Sequence, residues 1–148
     1  MFVSELHSLE WVGILVARVA IGVLFFLSGR AKLFVRDRRE QMQQTLIEAH
    51  LPFPKLNAIF VSTVECVCGL LLVLGALTPL ASALLGCLML VAIGTIAIRN
   101  VKASSAAEWL SAFLYLPEVL YLVIFIWLFF SGPGWLSIDH LFLWRSTL

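Results

Sequence analysis

Charged side chains are scarce in this sequence, and their scarcity excludes most soluble folds. Lysine, arginine, aspartate and glutamate make up 13% of the 148 residues, whereas a soluble domain carries about 25%. Hydrophobic residues make up 61% of the chain, so the few charged groups are not enough to cover a water-exposed surface. The sequence therefore predicts a protein whose surface faces lipid.

Motifs for metals and electron carriers are also missing. The three cysteines form no C-x-x-C pair, and Cys66 and Cys68 point to nearly opposite sides of a helix. The histidines are dispersed, and we find no haem ligand pair, flavin motif or nucleotide motif. No basic patch is interleaved with aromatic residues for nucleic acid. We therefore expect no metal, no covalent cofactor and no nucleic-acid partner, and any electron transfer would require a partner protein.

Four long apolar runs dominate what the sequence does contain. They cover about residues 11–34, 56–77, 80–98 and 109–131, and each approaches the roughly 20 residues that a helix needs to cross a bilayer. None alternates apolar and polar residues as a membrane strand does. Apolar residues at helical spacing between Gln41 and Ala49 predict a short helix lying on the membrane surface. We predict one domain, residues 1–148: an all-α bundle of four transmembrane helices with a short interfacial helix in the first loop.

Basic residues are concentrated at one end of this predicted bundle. Eight of the ten lie in or beside the first and third loops, between residues 30 and 55 and at Arg99 and Lys102. Because cytoplasmic loops of membrane proteins are enriched in lysine and arginine, we expect these loops in the cytoplasm. The chain would then be a multi-pass protein with both termini outside the cytoplasm.

Three ionisable residues fall inside the predicted spans: Arg18, Glu65 and Glu118. Each costs about 2.5–3.5 kcal/mol at the centre of an inserted helix, so such residues normally face the bundle interior and pair. Glu118 follows Pro117, which predicts a kink in the fourth helix. Lys32 lies near the end of the first helix and competes with Arg18 as partner for a glutamate. The sequence therefore predicts a buried polar cluster of Arg18, Glu65, Glu118 and Lys32.

Helical spacing places other residues beside this cluster. On the first helix a stripe from Arg18 to Lys32 contains two glycines that allow another helix to approach closely. Phenylalanines at similar spacing suit either packing or the wall of a site for a flat ligand. The residues predicted to line such a pocket are Gly22, Phe25, Gly29, Gly69, Tyr121 and Phe125.

Several motifs together resemble the DoxX family of small bacterial membrane proteins. In the first helix these are Arg18, Gly22, Phe26, Ser28, Gly29 and Lys32; in the second helix and the turn after it, Glu65, Gly69, Gly75 and Thr78; at the end of the fourth, Gly132, Pro133, Gly134, Ser137 and Asp139. Ser137 is expected to cap a short interfacial helix, with Asp139 in its first turn. The resemblance implies a four-helix protein of the bacterial inner membrane.

The resemblance also implies a link to quinones. Relatives form a subunit of a thiosulfate:quinone oxidoreductase, others take part in responses to quinone and oxidative stress, and one is described as the membrane anchor of a redox complex. We therefore expect a membrane subunit of a redox or oxidative-stress system. Arg18 or Lys32 would donate to a quinone carbonyl, a glutamate would exchange the proton, and Phe25 and Phe125 would sandwich the ring.

Two other functions fit the same residues. The chain could be a non-catalytic anchor or assembly subunit, in which the buried charges only fix helix pairing. It could also be a small proton-coupled transporter, although four helices are few for that unless the protein forms a homo-oligomer. Replacing Glu65 by glutamine distinguishes the anchor from the quinone-binding subunit, because an anchor would still assemble whereas a quinone site would lose its ligand.

Overall fold

A computed structural model describes residues 10–101, 105–132, 134 and 137–139. It confirms the prediction of an all-α membrane bundle over this part of the chain. The helices are α1 (Glu10–Phe34), α2 (Arg36–Glu48), α3 (Pro54–Leu74), α4 (Thr78–Ala92), α5 (Ala106–Leu114) and α6 (Pro117–Ser131). A π-helical turn, Ile93–Ala97, and a last α-helical turn, Ile98–Asn100, directly continue α4.

Three of these helices are long and apolar enough to cross a membrane. They are α1 with 25 residues, α3 with 21, and α4 together with its π-turn with 20. At 1.5 Å of rise per residue they measure about 38, 32 and 30 Å, which matches a hydrocarbon core about 30 Å thick. Their outward faces expose large apolar side chains such as Val16, Phe60 and Leu90. The chain is therefore an integral membrane protein.

The fourth apolar run does not form one straight helix. It is divided into α5 and α6, whose axes meet at 61°. Leu116 has extended backbone angles, φ −64° and ψ 128°, because the ring of Pro117 disfavours a helical conformation in the residue before it. The kink predicted at Pro117 is therefore a complete break. Helix α5 diverges from the axis of α6, and none of the residues of α5 is buried.

Helices α1 and α3 pack with their backbones in close contact. A Cβ atom added to Gly29 would lie 2.5 Å from the backbone nitrogen of Cys66, and one added to Gly22 would lie 2.9 Å from the carbonyl oxygen of Gly69. The backbone nitrogen of Phe26 would be the nearest atom to a Cβ on Gly69. Small residues at such positions let membrane helices approach closely. The two glycines of the predicted stripe on α1 thus lie in the α1–α3 interface.

Helix α4 packs mainly against α6 and forms a second helix pair beside α1 and α3. Between the pairs, the ring of Phe25 lies edge-on to the rings of Tyr121 and Phe125, with centroid distances of 5.4 and 5.2 Å. On α6 the deeply buried residues are Phe125 and Leu128, whereas Phe129 is 44% exposed. We call the end with residues 30–55 the basic end, and the end with the α3–α4 turn, residues 75–77, the turn end.

Candidate functional site

A cavity of about 560 Å³ lies between the two helix pairs, in the half nearer the basic end. Helices α1, α2, α3 and α6 contribute to its wall, as do α4 and its π-turn. The polar residues that line it are Ser28, Lys32, Thr45, Asn57, Glu65, Thr95, Glu118 and Tyr121. The interior of this membrane protein therefore contains a space in which charged, hydroxyl and aromatic groups converge.

An ion pair between Lys32 and Glu65 forms one side of the cavity. Lys32 Nζ donates to Glu65 Oε1 and Oε2 at 2.8 and 2.7 Å, and Ser28 Oγ donates to Oε2 at 3.4 Å. The Glu65 side chain is 5% exposed and that of Lys32 is 26% exposed. The close α1–α3 contact at Gly29 brings these two side chains together. Glu65 is thus neutralised, whereas Lys32 still faces the cavity.

Glu118 lies on the other side of the cavity, in the first turn of α6. Its Oε2 atom is buried and accepts no hydrogen bond from the residues that the structure describes. The break before Pro117 places this carboxylate at a helix N-terminus, where the helix dipole favours negative charge. Tyr121, one turn further along α6, lines the same cavity.

Arg18 does not join this group, which corrects the predicted cluster of four. It is 2% exposed and lies beside the α3–α4 turn, where a Cβ on Gly75 would be 2.5 Å from Arg18 Nη1. Arg18 and Lys32 are 14 residues apart on α1, which is about 21 Å. In the antiparallel α1–α3 pair, Glu65 therefore lies opposite Lys32, while Arg18 interacts electrostatically with Asp139 at the turn end.

The residues predicted to line a pocket are also divided. Phe25 and Tyr121 belong to the cavity wall, whereas Gly22, Gly29 and Gly69 lie in the α1–α3 contact. Phe125 faces a separate apolar groove of about 260 Å³ between α4 and α6. The glycines are absent from the wall because their lack of a side chain serves close helix packing.

Asp139 has a role that the sequence analysis missed. Its carboxylate accepts hydrogen bonds from the backbone N–H groups of Leu77 and Thr78 at 2.7 and 2.9 Å, and its own N–H donates to Gly75 O at 3.1 Å. Leu77, at the N-cap of α4, has no side-chain acceptor, and Asp139 supplies the cap from a distant segment. The sequence offered one signal for this role: Leu77, at the start of α4, cannot cap the helix with its own side chain. Pro133, in the same closing motif, lies outside the described residues.

Helix α2 also contributes to the site in a way that the sequence did not indicate. Met42, Thr45 and Leu46 line the cavity, and Leu46 is 4% exposed. The apolar face that predicted contact with the membrane surface is thus turned toward the cavity. The first-loop helix closes the cavity at the basic end.

The described part of the chain contains no group of three or more histidine, cysteine, aspartate or glutamate side chains that could hold a metal ion.

Comparison with known proteins identifies the family. No curated protein and no solved structure matches the chain. The family model described as DoxX matches residues 13–98, which is more than half of the chain and includes both members of the Lys32–Glu65 pair. The chain therefore belongs to the DoxX family.

Proposed function

We propose that this protein is a membrane subunit of a redox or oxidative-stress system and binds a quinone-like molecule in the cavity. The observation that carries the proposal is the convergence around one space of the Lys32–Glu65 pair, aromatic side chains and Glu118, whose Oε2 has no hydrogen-bond partner among the described residues. A volume of about 560 Å³ is within the range of about 300–1,000 Å³ that small-molecule sites occupy.

Access to the cavity supports a lipophilic ligand. Leu24, Phe60 and Val91 line the cavity and are 41%, 60% and 56% exposed, as expected for residues at an opening between helices. The cavity therefore opens between helices toward the surface that faces lipid. A molecule dissolved in the bilayer reaches the polar groups without crossing the water layer.

Within this proposal, the groups that line the cavity have distinct chemical roles. Lys32 has three N–H donors, two of which serve Glu65, and the third donates to a ring oxygen. Glu118 transfers protons from water to the ligand one after the other, since reduction of a quinone takes up two electrons and two protons. Phe25 and Tyr121 contact the ring. Arg18 has no part in the site because it lies at the turn end. Electrons come from a partner protein, as the sequence contains no carrier motif.

A cavity-filling substitution tests the proposal. Ala92 lines the cavity, so Ala92→Phe should weaken binding of a benzoquinone with a ten-carbon tail by about tenfold or more, measured by calorimetry in mild detergent. The matched control is Gly94→Phe, because a Cβ at Gly94 has nothing within 4 Å. Equal affinity of the two variants, or no binding by the unmodified protein, would contradict a quinone site here.

A non-catalytic anchor is the second candidate function. The observation in its favour is that Lys32 and Ser28 already satisfy both oxygens of Glu65, as a purely structural ion pair would require. Glu65→Gln should then leave assembly with the partner intact. The same variant should lose quinone binding if the cavity is a ligand site, and co-purification together with calorimetry distinguishes the two.

We further propose that the protein lies in the inner membrane with its basic end in the cytoplasm. The support is the positive charge around α2 at that end, together with the preference of cytoplasmic loops for lysine and arginine. In a cysteine-free background, an impermeant maleimide added to intact spheroplasts should label Leu77→Cys and spare Lys55→Cys. The reverse pattern would invert the orientation. Residues 1–9 and 140–148, which hold both termini, lie outside the described residues.

A further inference from the structure

We infer that the cavity distinguishes the two redox forms of its ligand and holds the hydroquinone more tightly than the quinone, through Glu118. The ligand class rests on the proposed function, whereas the preference between forms rests on the hydrogen-bonding groups of the cavity wall. A quinone ring offers two carbonyl acceptors. Its hydroquinone offers two O–H donors, and so the two forms require opposite partners from the protein.

The side-chain donors of the cavity wall are largely occupied. Lys32 and Ser28 donate to Glu65. Thr95 Oγ1 donates to the carbonyl oxygen of Val91 at 2.7 Å. Two further donors are engaged within α2 and at the start of α3, namely Thr45 Oγ1 with Gln41 O at 2.9 Å and Asn57 Nδ2 with Pro52 O at 2.6 Å. Among the side chains that line the cavity, the donors left for a quinone carbonyl are therefore the third N–H of Lys32, the second N–H of Asn57 Nδ2 and the hydroxyl of Tyr121.

The cavity wall also contains an acceptor that, unlike most of the donors, is unoccupied. Glu118 Oε2 is buried and has no hydrogen-bond partner in the described part of the chain. A buried acceptor without a donor carries the full cost of its lost hydration. A ligand hydroxyl that donates to Glu118 removes this cost, whereas a quinone carbonyl beside the carboxylate places two acceptors against each other. The wall therefore favours the form of the ligand that brings a donor.

The net charge of the cavity is a second property that would select a ligand. The test must therefore distinguish selection by charge from selection by hydrogen bonding. The charged residues lining it are Lys32, Glu65 and Glu118, which sum to −1 when all three are ionised. A negative cavity with aromatic walls would also attract a lipophilic cation. A quaternary ammonium with the same ten-carbon tail carries positive charge but no donor, so it separates selection by charge from selection by hydrogen bonding.

The test compares three probes by calorimetry under anaerobic conditions: the tailed benzoquinone, its hydroquinone and the quaternary ammonium. Because hydrogen bonds to charged groups are the stronger ones, the hydroquinone should bind the unmodified protein about tenfold or more tightly than the quinone. In Glu118→Leu this ratio should fall to near one. Glu48→Gln, a substitution of an exposed carboxylate on α2, should leave the ratio unchanged.

The ratio is measured within each variant, so a partial loss of folding affects both redox forms alike. A tenfold preference also raises the midpoint potential of the bound two-electron couple by about 30 mV, which redox titration reports independently. If both forms bind equally, if the preference survives Glu118→Leu, or if the quaternary ammonium binds as tightly as the hydroquinone, the inference fails although the cavity remains a ligand site. If neither redox form binds, the proposed function itself fails.

Discussion

At the scale of single residues, Glu65 shows how a buried carboxylate is accommodated in this membrane protein. Its side chain is 5% exposed, and both of its oxygens accept hydrogen bonds from Lys32. Removal of one member of a buried pair leaves the other charge without compensation, whereas removal of both leaves none. The stability of the α1–α3 pair should therefore depend on Lys32 and Glu65 jointly.

This coupling gives the first prediction. Lys32→Met should lower the free energy of unfolding by about 3–5 kcal/mol, as expected when a buried pair is broken. The double variant Lys32→Met/Glu65→Leu should recover most of that loss, because no isolated charge remains. Thermal unfolding in detergent measures both. Lys55→Met removes an exposed lysine near the same end and should have little effect. A double variant less stable than Lys32→Met would contradict the reasoning.

A second prediction concerns the glycines between α1 and α3. A Cβ on Gly69 would meet the backbone nitrogen of Phe26 and the carbonyl oxygen of Gly22, and backbone atoms cannot rotate away. Gly69→Ala should therefore cost about 1–3 kcal/mol of stability, as overpacking does. Gly94→Ala is the control, since it has open space around it and alanine suits a helix better than glycine. Equal melting temperatures for both variants would refute a tight contact.

At the scale of secondary-structure elements, two irregularities border the cavity. Thr95 and Ile96 belong to the π-turn that continues α4, and Glu118 follows the break between α5 and α6. π-Helical turns within α-helices are rare and occur frequently at functional sites. Both departures from regular helix therefore shape the wall in which the polar groups converge.

The break provides the third prediction. Pro117→Ala removes the steric restriction on Leu116, so α5 and α6 should become more nearly collinear. With nine and 15 residues bent by 61°, straightening would lengthen the distance between their far ends by about 5 Å. Spin labels at Ala107 and Phe130, in a background without the native cysteines, report that distance. An unchanged distance would mean that packing, and not the proline, maintains the bend.

At the scale of the whole molecule, the two helix pairs are joined at one end and separated at the other. At the turn end, Asp139 caps α4 and bonds to Gly75, with the buried Arg18 beside them. Toward the basic end, the pairs diverge around the cavity, which α2 closes. The cavity thus lies toward the end of the bundle opposite this connection.

The fourth prediction tests that connection. Asp139→Ala removes the cap of α4 and should cost at least about 0.5–2 kcal/mol, the usual range for an N-cap. Hydrogen exchange should accelerate at the amides of Leu77 and Thr78, which bond to Asp139. Asp37→Ala, at an exposed position in the first turn of α2, is the control and should not affect those amides. Unchanged exchange at both amides would show that the cap is dispensable.

The order of the helices and much of the α1–α3 interface could be predicted from the sequence. Long apolar runs determine that the helices lie in a bilayer, since no soluble surface can be built from 13% charged residues. The spacing of Arg18, Gly22, Phe25 and Gly29 determines that they share one face, and all four are buried. These features follow from local periodicity and transfer energetics, which a sequence contains in full.

The partner of each charge was decided by the tertiary structure. Arg18 and Lys32 share one face of α1, and the antiparallel register of α3 assigns Glu65 to Lys32. In the same way, the capping of α4 by Asp139 joins residues 61 and 62 positions apart in the chain. Helical spacing fixes which direction a side chain points, but the depth at which two helices meet depends on their packing. For that reason the sequence determined which polar residues lie within the apolar helices, and the tertiary structure decided which of them share a cavity.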